Sequence, residues 1–324
     1  RQEAIDLGLG QIEGLEKRIR PYRNGRDLTD GPRGLFALDM FGLTSEQLRS
    51  TYPAIFQWIQ TRIKTTRDQD PRASHRINWW IFAEPRKEMR KALHGLTRYI
   101  ATVMTAKHRV FQFLDMHLMP DQKLVVIALG DAFQLGVLSS NLHTTYALAA
   151  GSTLEDRPVY VKTTCFETFP FPTEDTGLTP ELRSRIGHLA EQIDAHRKKV
   201  LGQTAADGAN SPPKGLTLTG LYNVLQALRE GRALNAKEKA IHTQGLVGVL
   251  KDLHDELDAA VLQAYGWADL SATDADTPEL LNRFVALNAR RAVEEEKGTV
   301  RWLRPEFQDP ALRAAQATVE AEPL

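Results

Sequence analysis

The stretch RYIATVMTAKHRVFQFLD, residues 98–115, decides how the chain folds. Tyrosine, isoleucine, threonine, valine and phenylalanine fill both of its arms. Such branched and aromatic side chains suit a pleated sheet better than the crowded turns of a helix. Ala106, Lys107 and His108 lie between the arms, so two paired strands are predicted to reverse there. KLVVIAL (123–129) follows as another buried strand, and GLFALDM (34–40) precedes as a short one.

Helical patterns surround these strands. In TSEQLRSTYPAIFQWIQTRI (44–63), Thr44 and Gln47 have capping-box spacing, Pro53 divides two helical pieces, and Ile55, Trp58, Ile59 and Ile63 share a face. DAFQLGVLSSNLHTTYALAAG (131–151) is predicted as one helix from an Asp131 cap to Gly151. RPVYVKTTCFETFPFP (157–172) is predicted to be extended and closed by its prolines. Beyond it the chain is helical: 180–200, with Leu182, Ile186, Leu189 and Ile193 on one seam, then about 217–229, 236–265 and 278–297. Leu246, Leu250, Leu253, Leu257 and Val261 form an apolar stripe of the kind that fills a core. GQTAADGANSPPKG (202–215) has the composition of a flexible loop. The expected fold class is α+β, a mixed α/β domain over 1–173 followed by a mainly helical domain over 174–324.

Composition narrows the function classes. Charged residues at 25% and hydrophobic residues at 42% fit a globular protein. The densest apolar run, LVVIAL (124–129), is far short of the roughly 18 residues that span a bilayer, so no membrane partner is expected. A single cysteine, Cys165, fits a reducing cytoplasm. A start at Arg1, without a signal peptide, suggests a piece of a longer cytoplasmic polypeptide.

The net charge of zero hides an asymmetry. Residues 1–172 carry 23 Lys+Arg against 18 Asp+Glu, a net +5, and residues 173–324 carry 18 against 23, a net −5. Residues 62–109 alone hold 12 against 4, a local +8. A concentrated basic stretch with aromatics inside it is the footprint of a nucleic-acid reader. Its centre, PRASHRINWWIF (71–82), sets Arg72, His75 and Arg76 beside Asn78, Trp79 and Trp80. Arg62, Lys64, Arg67, Arg72 and Arg76 suit phosphate contacts, and Asn78 suits bidentate reading of adenine. If the segment is a strand, one tryptophan faces the core and the other packs against a sugar, a base or a kinked step. Lys107, His108 and Arg109 at the strand reversal are either a solvated tip or a groove contact. Asn141 and Lys162, in the segment after the strands, complete the candidate set.

Catalytic and cofactor motifs are missing: no GxGxxG, GxxxxGK[ST], HExxH or CxxC occurs, and Pro120-Asp121 lacks the Asp/Glu-x-Lys that would make a nuclease pattern. His254 and Asp258, four apart in KDLHDELD, read as an ordinary solvated helix face and not a metal pair. The chain itself is expected to hold no cofactor and no metal, and to perform no covalent chemistry alone.

IRPYRNGRDLTDGPRGLFALDMFGLT (19–44), NWWIFAEPRKEMRKAL (78–93), RYIATVMTAKHRVFQFLD (98–115), LGVLSSNLHTTYALAAG (135–151) and CFETFPFP (165–172) resemble the C-terminal region of class I S-adenosylmethionine-dependent DNA adenine-N6 methyltransferases, the type IIG/IIL-like restriction–modification and phage-defence enzymes. EKAIHTQGLVGVLKDLHDELDAAVLQAYGW (238–267) and VRWLRPEFQDP (300–310) resemble the far C-terminus of the same family. The resemblance implies a target recognition domain over 1–173 with a helical tail. Its partners would be double-stranded DNA and the catalytic methyltransferase domain of the same parent polypeptide. The glycine motif for S-adenosyl-L-methionine and the Asn/Asp-Pro-Pro-Tyr motif, which the family carries upstream, do not occur here. The other readings of the residues are a nucleic-acid-binding module indifferent to sequence and a helical protein-interaction module.

Overall fold

The computed structural model describes residues 1–154, 157–203, 213, 215–272 and 276–313. Its architecture is α+β, with strands confined to the first half and helices prevailing in the second. Among the described residues the strands are β1 (Ile19–Arg23), β2 (Phe36–Leu38), β3 (Arg98–Val103), β4 (Phe111–Asp115), β5 (Met119–Pro120), β6 (Leu124–Ile127), β7 (Ser152–Leu154) and β8 (Arg157–Val159).

The expected strand pair is present. β3 is the centre of an antiparallel sheet ordered β4-β3-β6, with Ile100 opposite both Phe113 and Ile127. Its side chains alternate between two cores, as a period of two requires. Ile100, Phe111, Phe113 and Ile127 belong to the largest cluster; Tyr99, Ala101, Leu114 and Leu124 join Leu28 and Leu93 in another. Both faces are covered, which is why the consecutive positions Tyr99, Ile100, Ala101 and Thr102 are all buried. A second sheet, ordered β2-β1-β5, pairs β1 antiparallel to β2 and parallel to β5. A third cluster beside it holds Ile19, Met40, Leu48, Ile55, Ile59 and Trp79. β7 and β8 form a separate hairpin.

Helix Ala132–Ser139 packs on helix Pro180–Val200, which packs in turn on helix Val247–Ala264. The first crossing is close: a Cβ on Gly136 would lie 2.6 Å from Ile186 Cγ2 and 2.8 Å from the Ile186 carbonyl oxygen. The largest cluster runs from Ile100 through Phe171 to Ile186 and Leu287, so residues on both sides of position 173 share one core.

Several expectations need correction. Residues 131–151 are two helices, Ala132–Ser139 and Asn141–Ala150, because Ser140 adopts an extended ψ of 155° and its Oγ accepts from His143 N to cap the second. Residues 236–265 are likewise split into Ala236–Gln244 and Val247–Ala264 by Leu246, whose φ is +46° and whose side chain is exposed. The segment 157–172 is extended only in part, since Lys162–Phe166 forms a π turn. PRASHRINWWIF contains a short helix, Ala73–Ile77, and no strand. KDLHDELD is not a solvated face at His254 and Asp258, which lie on the same side of the helix as Leu250, Leu257 and Val261 and are buried. Most of the loop 202–215 lies outside the described residues. Among the described residues no helix is long and apolar enough to cross a membrane, and no group of three His, Cys, Asp or Glu is placed to hold a metal ion.

Candidate nucleic-acid interface

The basic segment follows two short helices, the first of them capped. Thr44 and Gln47 close a reciprocal capping box on helix Ser45–Thr51, and Pro53 opens helix Pro53–Ile59 at its first position. Ile55 and Ile59 are buried below, and a π turn, Gln60–Lys64, leads into Thr65–Asp68. The cations here lie over aromatic rings. Arg62 sits 4.3 Å from the Trp58 ring centroid and Lys64 Nζ 5.7 Å from that of Trp79. Each also has an acidic partner, Glu3 at 3.3 Å for Arg62 and Asp68 at 2.7 Å for Lys64.

Asp70 organises the next turn. Its carboxylate accepts from Arg72 N and meets His75 Nδ1, both at 2.9 Å, and these contacts, Arg72 first, hold it below the usual carboxylate range. Its carbonyl accepts from Arg76 at 2.7 Å, with Pro71 O accepting from the same nitrogen at 3.1 Å. Arg72 reaches Glu84 at 3.4 Å, Arg67 reaches the Ile81 carbonyl at 3.5 Å, and Asn78 Nδ2 donates to Ser74 O at 3.2 Å. Exposed ion pairs of this kind contribute only about 0.2–1 kcal/mol, so a phosphate competes with them readily. Arg62, Arg72, Arg76 and Asn78 are exposed, and Lys64, Arg67 and His75 are half-buried.

The two tryptophans separate. Trp79 is 8% exposed and packs edge-on against Phe56, with ring centroids 5.6 Å apart. Trp80 is half-buried and donates Nε1–H to the Leu43 carbonyl at 2.8 Å. Further along, Arg90 forms a two-pronged pair with the buried Asp39, at 2.7 and 2.9 Å, which ties the basic segment to the strand β2.

The reversal between β3 and β4 is turned toward the protein. Lys107 Nζ and His108 Nε2 converge on Asn223 Oδ1 at 2.7 and 2.8 Å. Arg109 donates to Val103 O, to Thr102 Oγ1 at 3.2 Å and to Pro158 O at 3.3 Å, and lies over the Tyr160 ring. Burial pushes its guanidinium down to about 10. Asn141 N donates to Asp258 and its Nδ2 to Ala272 O, at 2.7 and 2.6 Å. Lys162 is exposed. The geometry therefore gathers most of the outward-facing candidates into residues 62–78, leaves Lys107 and Lys162 exposed apart from them, and gives Trp79, Arg109 and Asn141 internal partners. Those internal contacts join residues far apart in sequence, as Arg109 with Pro158 and Asn141 with Ala272, so no local pattern announces them.

The family of the MmeI target recognition domain matches residues 51–173, a segment that contains every candidate contact. Among solved structures, the chain is similar to the type IIL restriction–modification enzyme MmeI, determined in complex with DNA. The TM-score is 0.59 at 17% identity, covering 89% of this chain and 33% of that one. At that identity the likeness is one of fold, and the chain spans about a third of the enzyme's length. No curated protein matches it.

Proposed function

We propose, from the match of residues 51–173 to the MmeI target recognition domain, that this chain is the sequence-specific DNA recognition module of a restriction–modification enzyme, one that methylates adenine at N6. The observation that carries the reading is a coincidence of two independent facts. The matched segment contains the 62–109 stretch with its local charge of +8, and residues 62–78 of it project cations outward. Cations at that density fix a protein on the phosphate backbone, and Asn78, exposed beside them, would read a base edge.

In this reading residues 1–173 contact the duplex and residues 174–324 brace them. Methylation of a base requires that it be flipped from the stack, and the recognition module holds the duplex while this happens. S-adenosyl-L-methionine would be bound by a catalytic domain of the same polypeptide. At the helix starts after β1 and β6, the side chains of Asn24 and Asp131 act as caps, accepting from Asp27 N and Phe133 N. Methylation-aware sequencing of DNA from cells carrying the complete gene tests the proposal. One recurrent motif with a modified adenine is expected; DNA without any gene-dependent modified motif would refute it.

A further inference from the structure

The exposed apolar side chains of the basic segment are not its tryptophans. Ile77 is 69% exposed and Phe82 41%, while Trp79, two residues after Ile77, is buried. A single exposed isoleucine is ordinary on a protein surface. The setting of Ile77 is not. It is the last residue of helix Ala73–Ile77 and stands between two exposed polar residues, Arg76 and Asn78.

The turn that carries it is braced on both sides. Arg76 is held on the carbonyls of Asp70 and Pro71, and Asn78 on that of Ser74. Trp79, the second residue after Ile77, is anchored in a core with Ile55 and Ile59. A branched apolar side chain thus projects from a fixed turn with cations on its flank. The complementary partner carries negative charge at its rim and flat apolar surface between the charges. Duplex DNA has that layout, with phosphates outside and stacked bases within.

We infer that Ile77 enters a base step of bound DNA and partly unstacks it, while Arg72 and Arg76 hold the neighbouring phosphates. The inference rests on the DNA-recognition reading above and adds a mode of recognition to it. Apolar wedges kink the duplex where it yields most easily, so the preferred site is a flexible pyrimidine–purine step. Part of the specificity then comes from deformability and not from hydrogen bonds to base edges.

The test uses the complete enzyme that carries this chain, with duplexes that hold 2-aminopurine at a TA step of the sequence returned by methylation-aware sequencing, titrated at several salt concentrations. Wild type and Ile77→Met should raise the 2-aminopurine fluorescence. Ile77→Ala should abolish that rise and lower affinity about tenfold, with an unchanged salt slope, because only apolar contact is lost. The melting temperature should be the same for all three, since the side chain is exposed. If Ile77→Ala matches wild type in fluorescence and affinity, or lowers the melting temperature, the wedge is overturned while DNA recognition stands. If wild type shows no salt-dependent binding to duplex DNA, the recognition reading itself fails, and the wedge with it.

Discussion

Trp79 and Trp80 are adjacent in sequence and differ in what holds them. Trp79 fills a core with Ile55, Ile59 and Phe56, so Trp79→Ala should cost roughly 3–5 kcal/mol in a urea titration. Trp80→Ala removes a half-buried ring and one hydrogen bond to Leu43 O, and should cost clearly less. Equal losses would contradict this division. Strand alternation in the sequence predicts one internal ring, but the segment forms no strand, and Trp80 packs on the same cluster as Trp79 instead of facing away from it. Which ring is buried was not legible, because the segment is a helix and turn stabilised by Asp70, whose contacts depend on geometry and not on periodicity. The exposed neighbours carry a different expectation. Arg72→Ala or Arg76→Ala should weaken binding to all duplexes alike and reduce the salt slope by about one. Asn78→Ala should leave that slope and relax the methylated motif at a single position. Fluorescence anisotropy against salt, combined with motif sequencing, separates the two outcomes.

The helices show where apolar patterns inform and where they mislead. Helix Pro180–Val200 was readable to its ends, since Thr179 caps it, Pro180 opens it and its seam stays in phase. The breaks at Ser140 and Leu246 were not readable, because the apolar spacing continues across them. A break of one or two residues hardly disturbs that count, and only the cap preference of Ser140 marked the first. His254 and Asp258 mislead for a related reason. Polar residues on a buried stripe look solvated until their partners are known, here Tyr222 at 2.9 Å for His254 and Arg229 at 2.9 Å for Asp258. At the crossing of Ala132–Ser139 with Pro180–Val200, Gly136 admits no side chain without moving backbone. Gly136→Ala should destabilise the protein by about 1–3 kcal/mol despite the better helix propensity of alanine. A gain in denaturation midpoint would show that the helices separate more freely than their packing implies.

Across the chain, buried histidines set the response to acid. Burial pushes His143 down to about 3 and His254 well below 6.5. Both are neutral when folded and take up protons when unfolded, so their contribution is complete above pH 6.5 and is lost as pH falls below it, at about 1.4 kcal/mol per unit for each. Asp258, raised by burial to about 6, works in the opposite sense between that value and 3.8, offsetting one histidine. Urea midpoints should therefore fall from pH 7.5 to pH 5.5, and unchanged midpoints would contradict the buried neutral state. The same shared core ties the helical half to the first. Arg304 donates to the carbonyls of Ala92, His94 and Ala128, and Gln134 donates to Leu303 O, so the C-terminal segment closes over the end of the basic helix Lys87–Leu93. Arg98 reaches Glu191 at 2.6 Å from the central strand. Under the proposed reading, these contacts and the net charges of +5 and −5 on the two halves would give DNA contact to the first and bracing to the second. Photocrosslinking to duplex DNA should label mainly residues 62–82, with lesser labelling near Lys107 and Lys162. Because Asn223 touches the Lys107–His108 tip, weak labelling of that one helix agrees with the assignment. Labels concentrated beyond residue 230 would reverse it, since the acidic half would then have to meet phosphate through a surface whose charge opposes it.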